Sequence, residues 1–253
     1  MCGLYGWIGS FSPRERAMFA SVLSSTNVQR GRDSYGWATR YRGDWHVRKG
    51  LGAASRAATS QAYCGVVMGH TRAATFGRVS IENAHPFERG PIALAHNGVV
   101  YNHHDHSATE PHSVDSELIA ARIAAGRPLS DLDAYGVITW TDDRRRDRIY
   151  ICNVGEGMIS VAGILRGDTT RGVVWSSDEK HLRAALECAS VDYCDYKIAA
   201  GVVYTARSDG LYTSNMRHAW AAKKPRAMRH TWQQLSIKNS AENWWLERAV
   251  GGE

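Results

Sequence analysis

Four short runs of β-branched and aromatic residues between positions 135 and 176 constrain the fold more than any other sequence feature. Turn signals such as Asp142-Asp143 and Gly167-Asp168 separate the runs, and apolar runs bounded by such residues predict strands joined by tight turns. The runs occupy residues 135–141, 148–154, 159–165 and 172–176. Further strands are predicted at 4–8, 37–41, 45–48, 64–70, 92–96 and 202–206. A chain with this many strands must bury their apolar faces in stacked sheets.

Three helices are predicted between the groups of strands. The first covers about 13–25 and follows Ser12-Pro13-Arg14-Glu15, which combines an N-cap serine, a first-turn proline and a capping-box glutamate. The second covers 114–125, and the third begins near Asp178 and runs to about 189. Strands in groups with helices between them predict an α+β fold in which helices cover the sheets.

Composition is typical of a globular protein of the cytoplasm. The 253 residues are 43% hydrophobic and 22% charged, and no apolar run reaches the length of a membrane span. The N-terminus lacks the basic and apolar regions of a signal peptide. The five cysteines include no Cys-x-x-Cys pair, which argues against a disulfide framework or a structural zinc site. We therefore expect a cytoplasmic protein that does not associate with membranes.

The basic charge is concentrated near the C-terminus. The net charge is +6, and residues 211–253 hold seven Lys/Arg against three Asp/Glu, together with four tryptophans. We therefore predict a domain at 1–210 followed by a basic, tryptophan-containing extension at 211–253. The extension could pack on the domain, or dock on a partner protein, because Trp and Arg are common interface anchors. Stacking on a nucleic acid is the least favoured alternative.

Cys2 is a candidate nucleophile. Removal of Met1 would leave Cys2 as the first residue, with a free α-amino group beside its thiol. The amine titrates near about 8 and the thiol near about 8.5, so one residue can supply both a nucleophile and a base. A small buried hydrophobic residue is the alternative interpretation.

Four polar segments, three of which contain glycine, lie at the ends of predicted strands or at a helix start. They cover residues 30–36, 69–77, 96–102 and 115–117. An arginine that ends a buried strand, such as Arg72, can clamp a carboxylate. Asn97-Gly98 can provide two donors to an oxyanion, although Asn-Gly is also a common hairpin turn. Asp115 can accept from an ammonium group or merely cap the helix. Together these groups predict a site for an amino acid with a reactive side-chain carbonyl.

The motifs and their order resemble those of class II glutamine amidotransferases, in particular the glutaminase domains of glucosamine-6-phosphate synthase and amidophosphoribosyltransferase. The resemblance covers about residues 2–210. The shared motifs are Cys2-Gly3, Arg-Gly-x-Asp-Ser-x-Gly at 30–36, Gly-His-Thr-Arg-x-x-Thr at 69–75, Asn83-Ala84-His85-Pro86-Phe87, His96-Asn97-Gly98 and Asp115-Ser116-Glu117. The resemblance implies the four-layer αββα sandwich of the N-terminal-nucleophile hydrolases.

The resemblance also implies a reaction. Cys2 would attack the side-chain amide of L-glutamine with its own amine as base, and a γ-glutamyl thioester would release ammonia and then glutamate. The Asn97 side chain and the Gly98 N–H would hold the oxyanion. No cofactor and no metal are expected.

The same resemblance implies how the substrate is held. Arg72, helped by Thr75, would bind the α-carboxylate of glutamine, and Asp115 would bind its α-amino group. Supporting roles fall to Arg30, His70 and His96.

Three departures from the family pattern stand out. Ala73 occupies a position where the relatives carry a large aromatic residue on a loop that closes over glutamine. The relatives continue into a synthase domain, whereas this sequence ends at Glu253, so the ammonia acceptor is expected to be a separate enzyme. A retained Met1 would block the base.

Two other functions remain open on the sequence. One is an amidohydrolase that acts on another γ-glutamyl or amide compound, which the small Ala73 favours. The other is a non-catalytic binding protein that uses the basic extension. The histidine-rich segment 96–112 is interpreted as a solvated loop, with metal binding as the alternative.

Overall fold

The structure, a computed structural model, describes residues 2–54, 60–75, 77–155 and 157–214. Thirteen strands are present in this part of the chain. In chain order they are β1 (Gly3–Gly9), β2 (Ser34–Tyr41), β3 (Asp44–Leu51), β4 (Val66–Arg72), β5 (Phe87–Arg89), β6 (Ile92–Val100), β7 (Ala134–Asp142), β8 (Ile149–Val154), β9 (Ser160–Arg166), β10 (Thr169–Ser176), β11 (Tyr193–Tyr196), β12 (Val203–Arg207) and β13 (Gly210–Thr213).

The strands form two antiparallel sheets. The first sheet has seven strands in the order β11-β9-β10-β1-β4-β2-β3, and the second has six in the order β13-β12-β8-β7-β6-β5. In the first sheet β1 is central, and it pairs with β4 in the register Gly3↔Thr71. In the second sheet β6 pairs with β7 over its whole length.

In the described ranges, long α-helices cover the outer faces of the sheets: α1 (Pro13–Asn27), α2 (Asp115–Ala124) and α3 (Glu179–Ala189). Ser12 caps α1 with the predicted capping box, and the Asp178 side chain caps α3 by accepting from the Lys180 N–H. Residues of α1 and α3 share an apolar cluster with the outer face of the first sheet, and residues of α2 do so with the second. A third cluster fills the space between the sheets. The predicted α+β fold with αββα layering is therefore confirmed.

The structure differs from the sequence prediction at short edge strands and at β6. Residues 87–89, 193–196 and 210–213 form strands of three or four residues that were not predicted, because so short a run shows little periodicity. The run predicted at 92–96 extends to Val100, so Asn97-Gly98 lies within β6. The interpretation of Asn97-Gly98 as a hairpin turn or a strand end is therefore wrong.

The C-terminal extension predicted at 211–253 falls mostly outside the described residues, which end at 214. Its role therefore stays a prediction. Among the described helices, none has both the length and the apolar character needed to cross a membrane.

Candidate active site

The candidate site lies at one end of the sandwich, where β1 begins and β4 ends. Leu4 and Met68 belong to the cluster between the sheets, while Tyr5 and Val67 belong to the cluster under α1 and α3. Because side chains alternate between the two faces of a strand, the even-numbered residues of β1 and β4 face the second sheet. Arg72 follows this pattern, and Cys2 continues it one residue before β1.

Cys2 is half-buried and contacts the residue that follows β4. The Ala73 N–H donates to Cys2 Sγ at 3.4 Å, and Sγ lies 3.5 Å from the Ala73 carbonyl oxygen. Burial raises the pKa of the Cys2 thiol, and the Ala73 N–H and the Arg72 charge act against this rise. The thiol is therefore held beside groups that favour its anion but requires a base to ionise.

Arg30 contacts the same end of the chain. Its Nε donates to the Cys2 carbonyl oxygen at 2.9 Å, and its guanidinium forms a 3.2 Å ion pair with Asp178 at the start of α3. Arg30 therefore holds the backbone of Cys2, and neither of these two contacts involves the Cys2 sulfur. The predicted supporting role agrees with this placement.

Arg72 is only 4% exposed, although it ends a strand at the edge of the sandwich. One guanidinium nitrogen donates to the Arg78 carbonyl oxygen at 3.1 Å, and the Asn83 amide donates to the same oxygen at 3.0 Å. The segment after β4 therefore turns back over the arginine. Thr75 in this segment is exposed to solvent.

The second sheet contributes the free edge of β6. The Val100 N–H donates to Asp115 Oδ2 at 2.9 Å, so it points away from β7. Backbone N–H groups alternate between the two edges of an antiparallel strand, and Gly98 lies two residues before Val100. The Gly98 N–H therefore points to the same edge, and β5 pairs with β6 only from Ile92 to Leu94. Gly98 thus presents its N–H at an edge that β5 does not cover.

Close packing against β7 requires a glycine at position 98. A Cβ there would collide with the Tyr135 carbonyl oxygen and would lie 2.7 Å from the Gly136 Cα on β7. Gly136 itself has φ of +121°, which disfavours other residues. The two facing glycines allow β6 and β7 to remain paired beside Asn97.

Asp115 is the first residue of α2 and is nearly buried. The N-cap of α2 is Val114, which has no capping side chain, so the interpretation of Asp115 as a simple helix cap is wrong. Its carboxylate accepts instead from Val100 on β6 and, at 3.4 Å, from the Ser116 hydroxyl. The charge of Asp115 also reaches Cys2, where it raises the thiol pKa.

His70 and His96 connect the two sheets beneath the site. His70 Nε2 lies 3.1 Å from the His96 carbonyl oxygen, and His96 Nδ1 lies 3.1 Å from the Ser116 hydroxyl. Burial lowers the pKa of His70 to about 3 and also lowers the pKa of His96. Both rings are therefore neutral near pH 7, and they act as hydrogen-bonding links rather than as charges.

Two further motif residues, His85 and Asp33, have no role predicted from the sequence. The His85 ring lies 4.0 Å from the His70 ring, centroid to centroid, and is buried. The Asp33 carboxylate accepts from the Ala74 N–H at 2.7 Å. Their positions in the motifs at 30–36 and 83–87 were the only sequence signal for them.

Most residues between 103 and 112 in the histidine-rich segment are exposed to solvent, in agreement with the solvated loop that the sequence predicts. His103–His106 form a short 3-10 helix, and the buried His103 lies 3.1 Å from His112, Nδ1 to Nε2. Within the described ranges, no group of three His, Cys, Asp or Glu side chains is arranged to hold a metal ion.

Solved structures share the fold of this protein. The chain has the fold of glutamine phosphoribosylpyrophosphate amidotransferase from B. subtilis, with a TM-score of 0.61 and 18% identity over 85% of this chain and 49% of that one. A structure described as the allosteric regulatory enzyme of purine biosynthesis gives the same TM-score at 17% identity, over 87% of this chain and 50% of that one. The protein therefore has the N-terminal-nucleophile hydrolase fold.

Sequence comparison finds relatives with higher identity than these structures. The chain is 37% identical over 109 residues to the glutamine–fructose-6-phosphate aminotransferase of Chlamydia trachomatis, and 31% identical over 156 residues to that of Chlamydia abortus. These matches cover 40% and 56% of this chain but only 17% and 25% of the relatives. No family model matches the chain. The chain is therefore similar, over about half of its length, to part of glutamine–fructose-6-phosphate aminotransferases, and it spans about a quarter or less of those relatives.

Proposed function

We propose that this protein hydrolyses the side-chain amide of L-glutamine and supplies the ammonia to a separate acceptor enzyme. One observation carries the proposal: Cys2 Sγ accepts from the N–H of Ala73, the residue that follows Arg72. This contact lies at the same end of the sandwich as Gly98 in β6. The relation to glutamine–fructose-6-phosphate aminotransferases supports the choice of substrate.

In the proposed reaction, the α-amino group of Cys2, freed by removal of Met1, takes the proton from the thiol. Sγ attacks the amide carbon of glutamine, and the developing oxyanion is held by the Gly98 N–H and the Asn97 amide. The proton passes to the amide nitrogen, the C–N bond breaks, and ammonia leaves. Water then cleaves the thioester and releases glutamate. Because burial raises the pKa of the thiol, the neighbouring amine is needed as the base.

The substrate's charged ends fit the charges of the site. The Arg72 guanidinium binds the α-carboxylate of the substrate through paired donors, and Thr75 assists it. The Asp115 carboxylate accepts from the α-ammonium group while it keeps its bond to the Val100 N–H. Arg30, His70 and His96 hold the backbone around these groups.

The test is glutamine hydrolysis by protein whose loss of Met1 has been verified by intact mass. Cys2→Ala should abolish glutamate release and labelling by a diazo-ketone analogue of glutamine, while the fold stays intact. Cys188→Ala is the matched control, because Cys188 is an exposed residue on α3. Unchanged hydrolysis in Cys2→Ala would refute the mechanism. A processed wild-type protein that neither hydrolyses glutamine nor labels would favour the binding-protein alternative.

Ala73 motivates a second candidate function. A methyl group at this position covers less of a bound substrate than a large aromatic side chain, so the site could accept another γ-glutamyl compound. A substrate panel decides between the two, because the second candidate requires some other amide to exceed glutamine in kcat/KM.

We further propose that residues 211–253 dock the acceptor enzyme, on the basis of their tryptophan and arginine content. A chain truncated after residue 214 should then hydrolyse glutamine normally but lose association with the acceptor. Loss of hydrolysis on truncation would argue instead that the extension belongs to the domain.

A further inference from the structure

The loop Arg30-Gly31-Arg32-Asp33, which leads into β2, contacts two segments of the site at once. Arg30 donates to the Cys2 carbonyl oxygen. At the other end of the loop, the Asp33 N–H donates to the Arg72 carbonyl oxygen at 3.0 Å, and the Asp33 carboxylate accepts from the Ala74 N–H at 2.7 Å. One loop therefore anchors the nucleophile's backbone and the segment that follows β4.

The middle of the loop packs backbone against backbone. A Cβ at Gly31 would lie 2.7 Å from both the Arg72 carbonyl oxygen and the Ala73 nitrogen. Gly31 has an extended φ of −167°, so space and not conformation requires glycine here. This close approach gives the peptide group between Arg72 and Ala73 little freedom to rotate.

Ala73 lies between the two peptide groups that Asp33 holds. The Arg72 carbonyl before it and the Ala74 N–H after it are both bonded to Asp33, and the Ala73 N–H points at Cys2 Sγ. The Ala73 N–H belongs to the same planar peptide group as the Arg72 carbonyl, so the bond from the Asp33 N–H to that carbonyl orients it directly. The bond from the Ala74 N–H to the Asp33 carboxylate holds the next peptide group and so limits the φ and ψ of Ala73. Donation from that N–H stabilises a thiolate more than a thiol.

We propose that Asp33 is a positioning residue, which holds the Arg72–Ala74 turn so that the Ala73 N–H stays directed at Cys2 Sγ and stabilises the thiolate. Asp33 acts through the turn, as an acceptor of a backbone hydrogen bond, and does not touch the sulfur. Its importance for glutamine hydrolysis rests on the proposed function, whereas its effect on the thiol does not.

The experiment measures the pH dependence of Cys2 alkylation by iodoacetamide, without glutamine, using peptide mass spectrometry. Asp33→Ala should move the midpoint upward by about one pH unit and slow alkylation near neutral pH by about tenfold. Asp33→Asn keeps an acceptor oxygen and should restore most of the wild-type profile. Cys188 in the same samples and the exposed-turn variant Asp168→Asn are controls that should not change.

A folded Asp33→Ala protein with the wild-type Cys2 profile would overturn the proposal, and so would an Asp33→Asn profile that matches Asp33→Ala. If Asp33→Ala does not fold, Asp33→Ser replaces it, since its hydroxyl is too short to reach the Ala74 N–H, and the same outcomes apply. Failure of the wild-type protein to hydrolyse glutamine would count against the proposed function. The alkylation measurement would still test the role of Asp33, because it uses no glutamine.

Discussion

The two ends of the sandwich use the same residue types in opposite ways. At the Cys2 end, Arg72 is nearly buried and donates to a backbone carbonyl, and the Asp115 carboxylate accepts from a backbone N–H. At the other end, in the turn between β7 and β8, the Arg144 side chain is 59% exposed and pairs with Asp142. This turn is the charged tip of the β7–β8 hairpin.

The comparison shows that burial strengthens the interaction between a charged side chain and a ligand. Water screens the exposed Arg144 guanidinium, so we expect its pair with the less exposed Asp142 to contribute about 0–1 kcal/mol. At the Cys2 end, by contrast, the backbone holds each charged group in place and solvent is largely excluded. A charge held in this way interacts strongly with an incoming ligand of opposite sign. The site end is therefore suited to recognition, whereas Arg144 in the β7–β8 turn is in contact with water.

The largest expected effect is on kcat/KM, and it distinguishes Arg72 from Arg144. Arg72→Ala should lower kcat/KM for glutamine by about a hundredfold, because a charge-assisted hydrogen bond to the substrate carboxylate is lost. Arg144→Ala should leave kcat/KM within about twofold. Steady-state kinetics on both variants tests the contrast, and equal losses would remove the distinction between the two ends.

A second prediction concerns backbone packing at the site end. Gly98→Ala should lower the free energy of unfolding by about 2–3 kcal/mol, because its Cβ meets the backbone of β7. Gly65→Ala is the matched control, since the nearest atom to its Cβ would be the Gly9 carbonyl oxygen at 3.4 Å. Urea unfolding measures both variants. A Gly98→Ala protein as stable as Gly65→Ala would show that β6 and β7 separate easily here.

The smallest effect is expected at the far end, at the ion pair between Glu15 and Arg171. Hydrogen bonds from Arg171 lower the pKa of Glu15 from 4.5 to about 2. Because the folded-state pKa lies below the unfolded one, the stabilisation is present above about pH 4.5 and is lost as the pH falls towards 2.

Wild type should therefore exceed Glu15→Gln in unfolding free energy by about 1–2 kcal/mol near neutral pH, with screening by solvent already discounted. The difference should shrink across that acidic range in urea titrations. A difference that does not change with pH would mean that the pair contributes through packing alone.

Local sequence signals predicted most of the elements. The capping box fixed the start of α1, and the apolar runs located the long strands to within a few residues. The edge strands β5, β11 and β13 were missed, because pairing with a neighbour rather than local periodicity makes them strands. For the same reason, sequence could not show that β6 continues through Asn97-Gly98 to Val100, which requires the facing Gly136.

Sequence by itself determined which groups are available: a cysteine at position 2, an arginine ending a buried strand, and an aspartate at a helix start. Only the tertiary structure decided how they are used. It directed Asp115 to the edge of β6, the Ala73 N–H to Cys2, and Asp33 to the turn between them. The physical reason is that local propensity depends on near neighbours in the chain, whereas these hydrogen bonds join residues 15, 71 and 41 positions apart.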